Sequence, residues 1–520
     1  VDRSYAVRRA ADPQGAPMTS TDAARRWNAL PHPSTVRLES GAWRPDTVQV
    51  VAADERLAAE ATRLQRELAA LGIPPGMGSR ILLRSAEAPI TSSDAASTPG
   101  GAVASDEAYA IDVAGDIDIR VSSATGGFRA TRQLLHNLRA QGCVPRGRVS
   151  GSPAVHERGI HLDAARKHYP AEWIIALLHA AADVGINALQ WHFSENEGFR
   201  LESVAFPEVV SAGHITRADA ARILHAARDL HIEVIPSLDM PGHLRQVLAQ
   251  HPHLRLPPGR ERTDAAITGT DHALDITREQ AVAFAERLID DMAPVFAGCS
   301  RWHLGGDEFV DFARIDDYPA LRDAAHAGFG PDANGFDLLT AFVNRIAAHL
   351  RGLGFRARAW NDGMLRGSVV RLDAGIELTW WTNWHRQMRP LADAVAAGHP
   401  LVNVNDGLFY YVLGEHAGYA YPTAERIWAA DWHPGLFPAL PGGGRQEIPH
   451  PYPDSLRGSC FAVWSDEPGA QTVAEVADGI RAPLRAMAER AWNGGSALTL
   501  AEFERVEAAI GLPIGVSSPR

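Results

Sequence analysis

The chain has 520 residues, 46% hydrophobic and 22% charged, with 46 Gly and 34 Pro, a globular composition that excludes disordered and collagen-like chains. Fifty Lys and Arg stand against 62 Asp and Glu, a formal charge of -12, and no basic run offers the phosphate-neutralising surface that a nucleic-acid partner needs. No stretch approaches the ~20 consecutive apolar residues of a membrane span, and Cys143, Cys299 and Cys460 are too few and scattered for a disulfide framework or a four-thiolate zinc site.

Residues 1–33 are polar, with PQGAP and PHP punctuation, and read as an irregular, loosely attached lead-in. Val1 to Gly15 lack the apolar centre of a signal peptide. Strands are expected at 47–52 and 80–84, with apolar residues at helical spacing over 55–71 between them. A hairpin at 108–113 and 116–121 and a helix at 128–138 complete a small α+β domain, 34–150. RGRVSGSP, 146–153, has the composition of a linker.

Beyond it, short apolar strands alternate with long amphipathic helices, the pattern of parallel βα units. Eight strands are expected, at 159–162, 188–193, 233–238, 302–305, 357–360, 376–381, 401–404 and 460–464. The fold class is therefore α/β: a (β/α)8 TIM barrel over 151–495 preceded by the small α+β domain, with 496–520 packed on the barrel. The connection 406–457 is long, aromatic and rich in Pro and Gly, which marks a functional loop.

In such a barrel the active site lies at the C-terminal strand ends. There the sequence places Asp163 and Arg166, Glu195 and Asn196, Asp239 and His243, Asp307 and Glu308, Asn361 and Asp362, Trp381, Asn405 and Asp406, and Trp464 with Asp466. HLGGDEF, 303–309, is the sharpest motif. Neighbouring residues on a strand face opposite sides, so Asp307 and Glu308 share a pocket only if the backbone leaves the pleat, which Gly305 and Gly306 permit. One carboxyl beside another, partly buried, is raised toward the range of a general acid. In IPSLDMPGH, 235–243, the turn through Pro241 and Gly242 offers the His243 imidazole to a carboxylate as an orienting partner. No HExxH is present, and Asp with His does not complete a zinc shell, so no metal is expected. Of 13 tryptophans, Trp360, Trp380, Trp381, Trp384, Trp428, Trp432 and Trp464 fall in the second half of the barrel, where flat rings can cover the apolar faces of sugars.

Together RGIHLDAARKHYP (158–170), HFSENEGFRLES (192–203), LDMPGH (238–243), HLGGDEF and AVWSDE (462–467) resemble the β-N-acetylhexosaminidases of glycoside hydrolase family 20, over roughly residues 35 to 495. The resemblance implies an exo-acting, retaining enzyme that needs no cofactor, removes terminal β-linked GlcNAc or GalNAc from oligosaccharides or glycoconjugates, and is secreted or periplasmic. It also implies catalysis in which the substrate's 2-acetamido oxygen is the nucleophile, one of the exceptions to the two-carboxylate scheme. Glu308 would then be the acid and base, and Asp307 would orient the acetamido group. Arg166 would hold sugar hydroxyls, and His243, backed by Asp239, would lie near Glu308. Trp360, Trp381 and Trp464 would wall the acetamido pocket, with Tyr410 or Tyr411 donating to the acetamido oxygen.

Three positions depart from the family pattern. Glu195-Asn196-Glu197-Gly198-Phe199 replaces a DDQGW-like run, so a longer carboxylate or an amide meets the His243 and Glu308 neighbourhood. Asp466 stands where a hydroxyl-binding Glu is usual, a methylene shorter. That would leave room beyond the terminal sugar, as in the related lacto-N-biosidases, which release a Gal-GlcNAc disaccharide. An Asp usually found two residues after the pocket tyrosine becomes Leu413 if that tyrosine is Tyr411. The retained Arg166 favours an unsubstituted terminal sugar. The alternatives are release of that disaccharide and a non-hydrolytic carbohydrate-binding barrel.

Overall fold

The computed structural model describes residues 26–88, 90, 105–260 and 269–513; the expected lead-in before residue 26 and the C-terminal segment after residue 513 lie outside them. Eight parallel strands close into a barrel: Glu157–Asp163, Ala188–Glu195, Glu233–Met240, Arg301–Gly305, Arg356–Trp360, Glu377–Trp380, Leu401–Asn403 and Leu456–Trp464. Each pairs with the next in parallel and the eighth pairs with the first, Cys460 opposite Gly159, so no edge is left open. The strands read as apolar runs because helices such as Ala171–Asp183 and Arg217–Asp229 cover them from outside. Among the described residues no helix is long and apolar enough to cross a membrane.

The barrel floor is ionic. Arg358 donates to Glu157 at 2.8 and 2.9 Å and to Glu377 at 2.7 Å, and Arg301 joins Glu157 to Glu233. Burial pushes the Glu157 carboxyl up, but Arg358 and Arg301 more than offset it and hold it at about 2. Charges at the bottom of a barrel serve stability, which leaves the opposite face for chemistry.

The small domain is a six-stranded sheet in the order Thr35–Trp43, Val144–Gly151, Tyr109–Val113, Ile117–Val121, Ser79–Ser85, Val48–Ala52, packed on helices Ala58–Ala70 and Ala124–Gln141. Here two sequence expectations fail. Residues 144–151 form a central strand rather than a linker, paired on both sides. Its inward positions include Gly147 and Gly151, which lack the β-branched signature of a strand. Glycine is needed there: a Cβ on Gly147, at φ 134°, would sit 2.2 Å from the Arg37 carbonyl, and one on Gly151 2.6 Å from the Tyr109 hydroxyl. Nor are residues 26–33 loosely attached. Trp27 Nε1 donates to Gln133 at 2.9 Å, Leu30 N–H to His136 Nδ1 at 3.2 Å and His32 N–H to Glu489 at 2.6 Å. The last described helix, Leu500–Ile510, packs on Ala124–Gln141 and Val473–Asn493.

Candidate active site

A cavity of 240 Å³ opens at the C-terminal strand ends, lined by Arg166, Glu195, His243, Asp307, Glu308, Trp381, Trp384, Tyr410, Val412, His416, Ala417, Tyr419, Trp464 and Asp466. A larger cleft of 490 Å³ on the outer face of the small domain contains Arg84 and Arg148, but these are paired with Asp118 and Asp112. The barrel mouth is where acids converge on aromatic rings.

The fourth strand ends by leaving the pleat. Gly305 and Gly306 take φ 82° and 93°, and Glu308 itself takes φ 39°, a left-handed conformation that is strained for a non-glycine residue. A Cβ on Gly305 would lie 2.6 Å from Asp239 Oδ1. Adjacent carboxyls thereby enter one cavity, with the Asp307 side chain 11% exposed and that of Glu308 44%. The Glu308 N–H donates to Asp362 Oδ2 at 3.2 Å. The Asp307 carboxyl is held well above the ordinary value, by burial first and then by Asp239, while His243 opposes the shift. Burial and Glu308 raise Asp362 to about 6.

His243, at φ 54°, connects this pair to a buried network. Its Nδ1 meets Glu195 at 2.8 Å, and its Nε2 lies 3.4 Å from Asp307 and 3.8 Å from Glu308. Burial disfavours the imidazolium, but Glu195 and Asp307 outweigh it and raise His243 well above its ordinary value. Glu195 is driven well below its own: burial pushes it up, and Arg166 and His243 pull it down further. Arg166 bridges Asp163 at 2.9 Å, Glu195 at 3.2 Å and Glu197 at 3.1 Å, while Asp163 also accepts the Ser465 N–H at 2.9 Å. The mouth thus presents anions and cations whose positions are fixed in advance.

The expectation that Asp239 backs His243 is corrected: Glu195 occupies that place. Asp239 is buried below the cavity, 3.9 Å from His192 Nδ1, and does not line it. The cause is register. Asp239 and His243 lie on either side of a tight turn, so the imidazole swings toward the neighbouring second strand, whose extra residue before the turn supplies Glu195. His192, Glu195 and Asp239, and likewise Asp239, His243 and Asp307, lie close enough to hold a metal ion. Arg166 already pairs with Asp163 and Glu195, and Glu195 also holds His243 Nδ1, so the donor set fits proton handling better than a divalent cation.

The aromatic wall is set by Trp381, which lies parallel to Tyr410 with ring centroids 5.7 Å apart and 3° between planes. The Trp381 Nε1 donates to Asp362 at 3.2 Å. Trp464 stands 5.9 Å from Tyr410 with the Arg166 guanidinium over its ring at 5.7 Å. Trp360 is one layer deeper, 1% exposed, against His303 and Trp464. Tyr411 is turned away: it accepts from Gln471 at 3.0 Å and stacks on Tyr421 at 4.4 Å. The cavity tyrosine is therefore Tyr410. Sequence reading missed Val412, His416, Ala417 and Tyr419 altogether, and named Trp384 only among the tryptophans. Val412 could have been found from the period of two once Tyr410 was chosen.

Two acids beside flat aromatic rings that can cover the apolar face of a sugar are suited to cutting a glycosidic bond, and the family match places the chain among the glycoside hydrolases. A model of the glycosyl hydrolase family 20 catalytic domain matches residues 156–494, and the chain belongs to that family. A lacto-N-biosidase of Bifidobacterium bifidum is 28% identical over 460 residues, 87% of this chain and 39% of that protein. The mouse β-hexosaminidase subunit beta is 25% identical over 312 residues, 58% of this chain and 56% of its own length. The chain spans about two fifths to just over half of these relatives. An exo β-N-acetylglucosaminidase of Vibrio harveyi solved with N-acetylglucosamine superposes with a TM-score of 0.73 at 18% identity, over 93% of this chain and 76% of its own. The Streptomyces plicatus N-acetyl-β-hexosaminidase superposes at 0.66 and 20%, over 94% and 96%.

Proposed function

We propose that the chain is an exo-acting, retaining hydrolase of β-linked 2-acetamido sugars, GlcNAc or GalNAc, at the ends of oligosaccharides or glycoconjugates. The observation that carries this reading is the shared cavity of Asp307 and Glu308 beneath the parallel rings of Trp381 and Tyr410. Adjacent acids cannot flank the scissile bond from opposite sides of the sugar, one protonating the leaving oxygen and the other attacking C1 or activating water, as paired carboxylates usually do, but they can address two atoms of the same sugar. Asp307 accepts the acetamido N–H and orients the group. The acetamido oxygen then bonds to C1 as the C1–O bond to the leaving group breaks, while Glu308 gives its proton to the departing oxygen. Asp307 stabilises the positive oxazolinium ring so formed. Glu308, now ionised, takes a proton from water as that water attacks C1, the C1–O bond to the acetamide breaks, and the second inversion restores the original configuration. Trp381 and Tyr410 enclose the acetamido methyl, with the Tyr410 hydroxyl as donor to its oxygen, and Arg166 and Asp466 face the hydroxyls.

The test pairs an aryl β-N-acetylglucosaminide with the matching plain glucoside, following the anomer released by NMR. Cleavage of the acetamido substrate alone, with β-anomer first, is expected; equal cleavage of both refutes acetamido participation.

A second reading, release of a disaccharide as in the lacto-N-biosidases, draws on two cavity residues. With Tyr410 as the cavity tyrosine, the position two residues on is Val412, apolar where the family usually has Asp, and Asp466 is short. The long match to the Bifidobacterium protein agrees. Scoring monosaccharide against disaccharide release on an oligosaccharide panel separates the two.

A further inference from the structure

Trp384 is the only exposed tryptophan among the described residues, 56% accessible, and it stands at the mouth of the cavity. Holding an indole face to water forfeits the gain from burying it, so a fixed orientation there needs a cause. The orientation is fixed. Trp384 Nε1 donates to Asp406 Oδ2 at 2.6 Å, and its ring meets Trp381 edge-on at 4.6 Å and 80°. The same Asp406 oxygen accepts the Tyr419 hydroxyl at 3.2 Å. One carboxylate at the end of the seventh strand therefore braces two rings from different loops.

In the glycosidase reading the reacting sugar lies between Trp381 and Asp307, and its leaving group departs past Glu308, the more open acid of the pair. Trp384 lines the same mouth as Glu308 and stands one ring beyond Trp381. We infer that Trp384, braced by Asp406, is the platform of a leaving-group subsite that takes the apolar face of the pyranose to which the 2-acetamido sugar is linked. The inference rests on the glycosidase reading above and adds to it which part of the substrate the exposed indole contacts. A sugar ring covers the indole while keeping its own hydroxyls in water, so the two faces match chemically.

The test compares two donors that differ only in the leaving group: chitobiose, where it is a sugar, and 2-acetamido-2-deoxy-β-glucosyl fluoride, where it is one atom. If the product panel shows disaccharide release, the pair is instead a tetrasaccharide and the fluoride built on that disaccharide. Trp384→Ala should lower kcat/KM on the sugar-linked donor by about tenfold or more, chiefly through KM, as for truncation of an aromatic anchor. The loss on the fluoride should be at least about fivefold smaller, and Trp384→Phe should recover most of it. Equal losses on both donors would show that Trp384 only packs against Trp381, and no loss on either would show that nothing stacks there; both overturn the subsite while leaving the glycosidase reading intact. A wild-type enzyme inert toward both donors would overturn that reading and the subsite with it.

Discussion

Glu195→Gln is the sharpest probe of the buried network, because it removes a charge while keeping the side chain's size. The carboxylate lost lies 2.8 Å from His243 Nδ1 and 3.2 Å from the Arg166 guanidinium. Arg166 keeps Asp163 and Glu197, so the fold should survive. A charged hydrogen bond of this kind contributes about 1.5–3 kcal/mol, and an opposite charge at this range moves a pKa by about 1–3 units, each about 1.4 kcal/mol. His243 is therefore less able to stay charged. Burial and Asp239 raise Asp307, and His243 is the group that draws it down, so an imidazole that loses its charge lets Asp307 rise further. In the proposed mechanism Asp307 works as an anion, so activity would lie on the alkaline side of its titration. The acid limb of kcat/KM should accordingly move to higher pH by about 1–3 units, a loss of about ten- to a thousandfold at a fixed pH below the limb. Initial rates on an aryl β-N-acetylglucosaminide across pH, with Tm recorded in each buffer, read this directly. A limb that stays in place or moves to lower pH, with Tm unchanged, would refute the role given to Glu195.

Glu308→Gln should slow turnover by several orders of magnitude and Asp307→Asn by a comparable or smaller factor, with Tm retained, since each removes an interaction made in the transition state; near wild-type kcat in either would reverse the assignment. Val412→Asp combined with Asp466→Glu restores two carboxylates on one flank of the cavity and should shift the product ratio toward monosaccharide by about tenfold, scored by chromatography. An unchanged ratio would free these positions of any part in choosing the product. Glu489 receives N–H and O–H donors from His32, Asn493 and Ser496, yet burial raises it to about 7 from 4.5. The fold favours its neutral form, so stability is lost as pH rises from about 4.5 through about 7, by about 3 kcal/mol at most. Glu489→Gln should flatten the Tm profile between pH 5 and 8; an equal slope in the variant would assign the dependence elsewhere.

The barrel was legible because its information is local: eight apolar runs, helices between them, and a polar residue at nearly every strand end. The two glycines before Asp307 declared the bend that brings the acids together. What could not be read depends on which strand lies beside which. Residues 144–151 carry their inward face on Val and Gly rather than on β-branched residues throughout, and only the neighbours Arg37 and Tyr109 explain why Gly is required. The resemblance gave His243 the backing of Asp239 and put a carboxylate or amide of the 195–197 run only in its neighbourhood, whereas the turn after the third strand points the ring at Glu195 on the second.

The choice between Tyr410 and Tyr411 is of the same kind, and it reaches into specificity. Adjacent strand residues face opposite ways, so sequence offers two equal answers until a partner strand fixes the face. Tyr410 pairs with Ala462 and Val412 with Trp464, which brings both Tyr410 and Val412 to the cavity and sends Tyr411 outward. The family's Asp two residues past this tyrosine is then replaced by valine rather than by Leu413, and an apolar side chain lines the cavity where a hydroxyl grip would be. Asp466, shorter by a methylene than the usual Glu, lies on the same cavity wall. Under the proposed function, a terminal sugar would gain less from that flank than from Arg166, and a sugar extended toward it would meet Val412 in place of a carboxylate. On the disaccharide reading, the one-residue register that turns Val412 toward the cavity is what opens this flank, and the product ratio of the Val412→Asp, Asp466→Glu variant tests it.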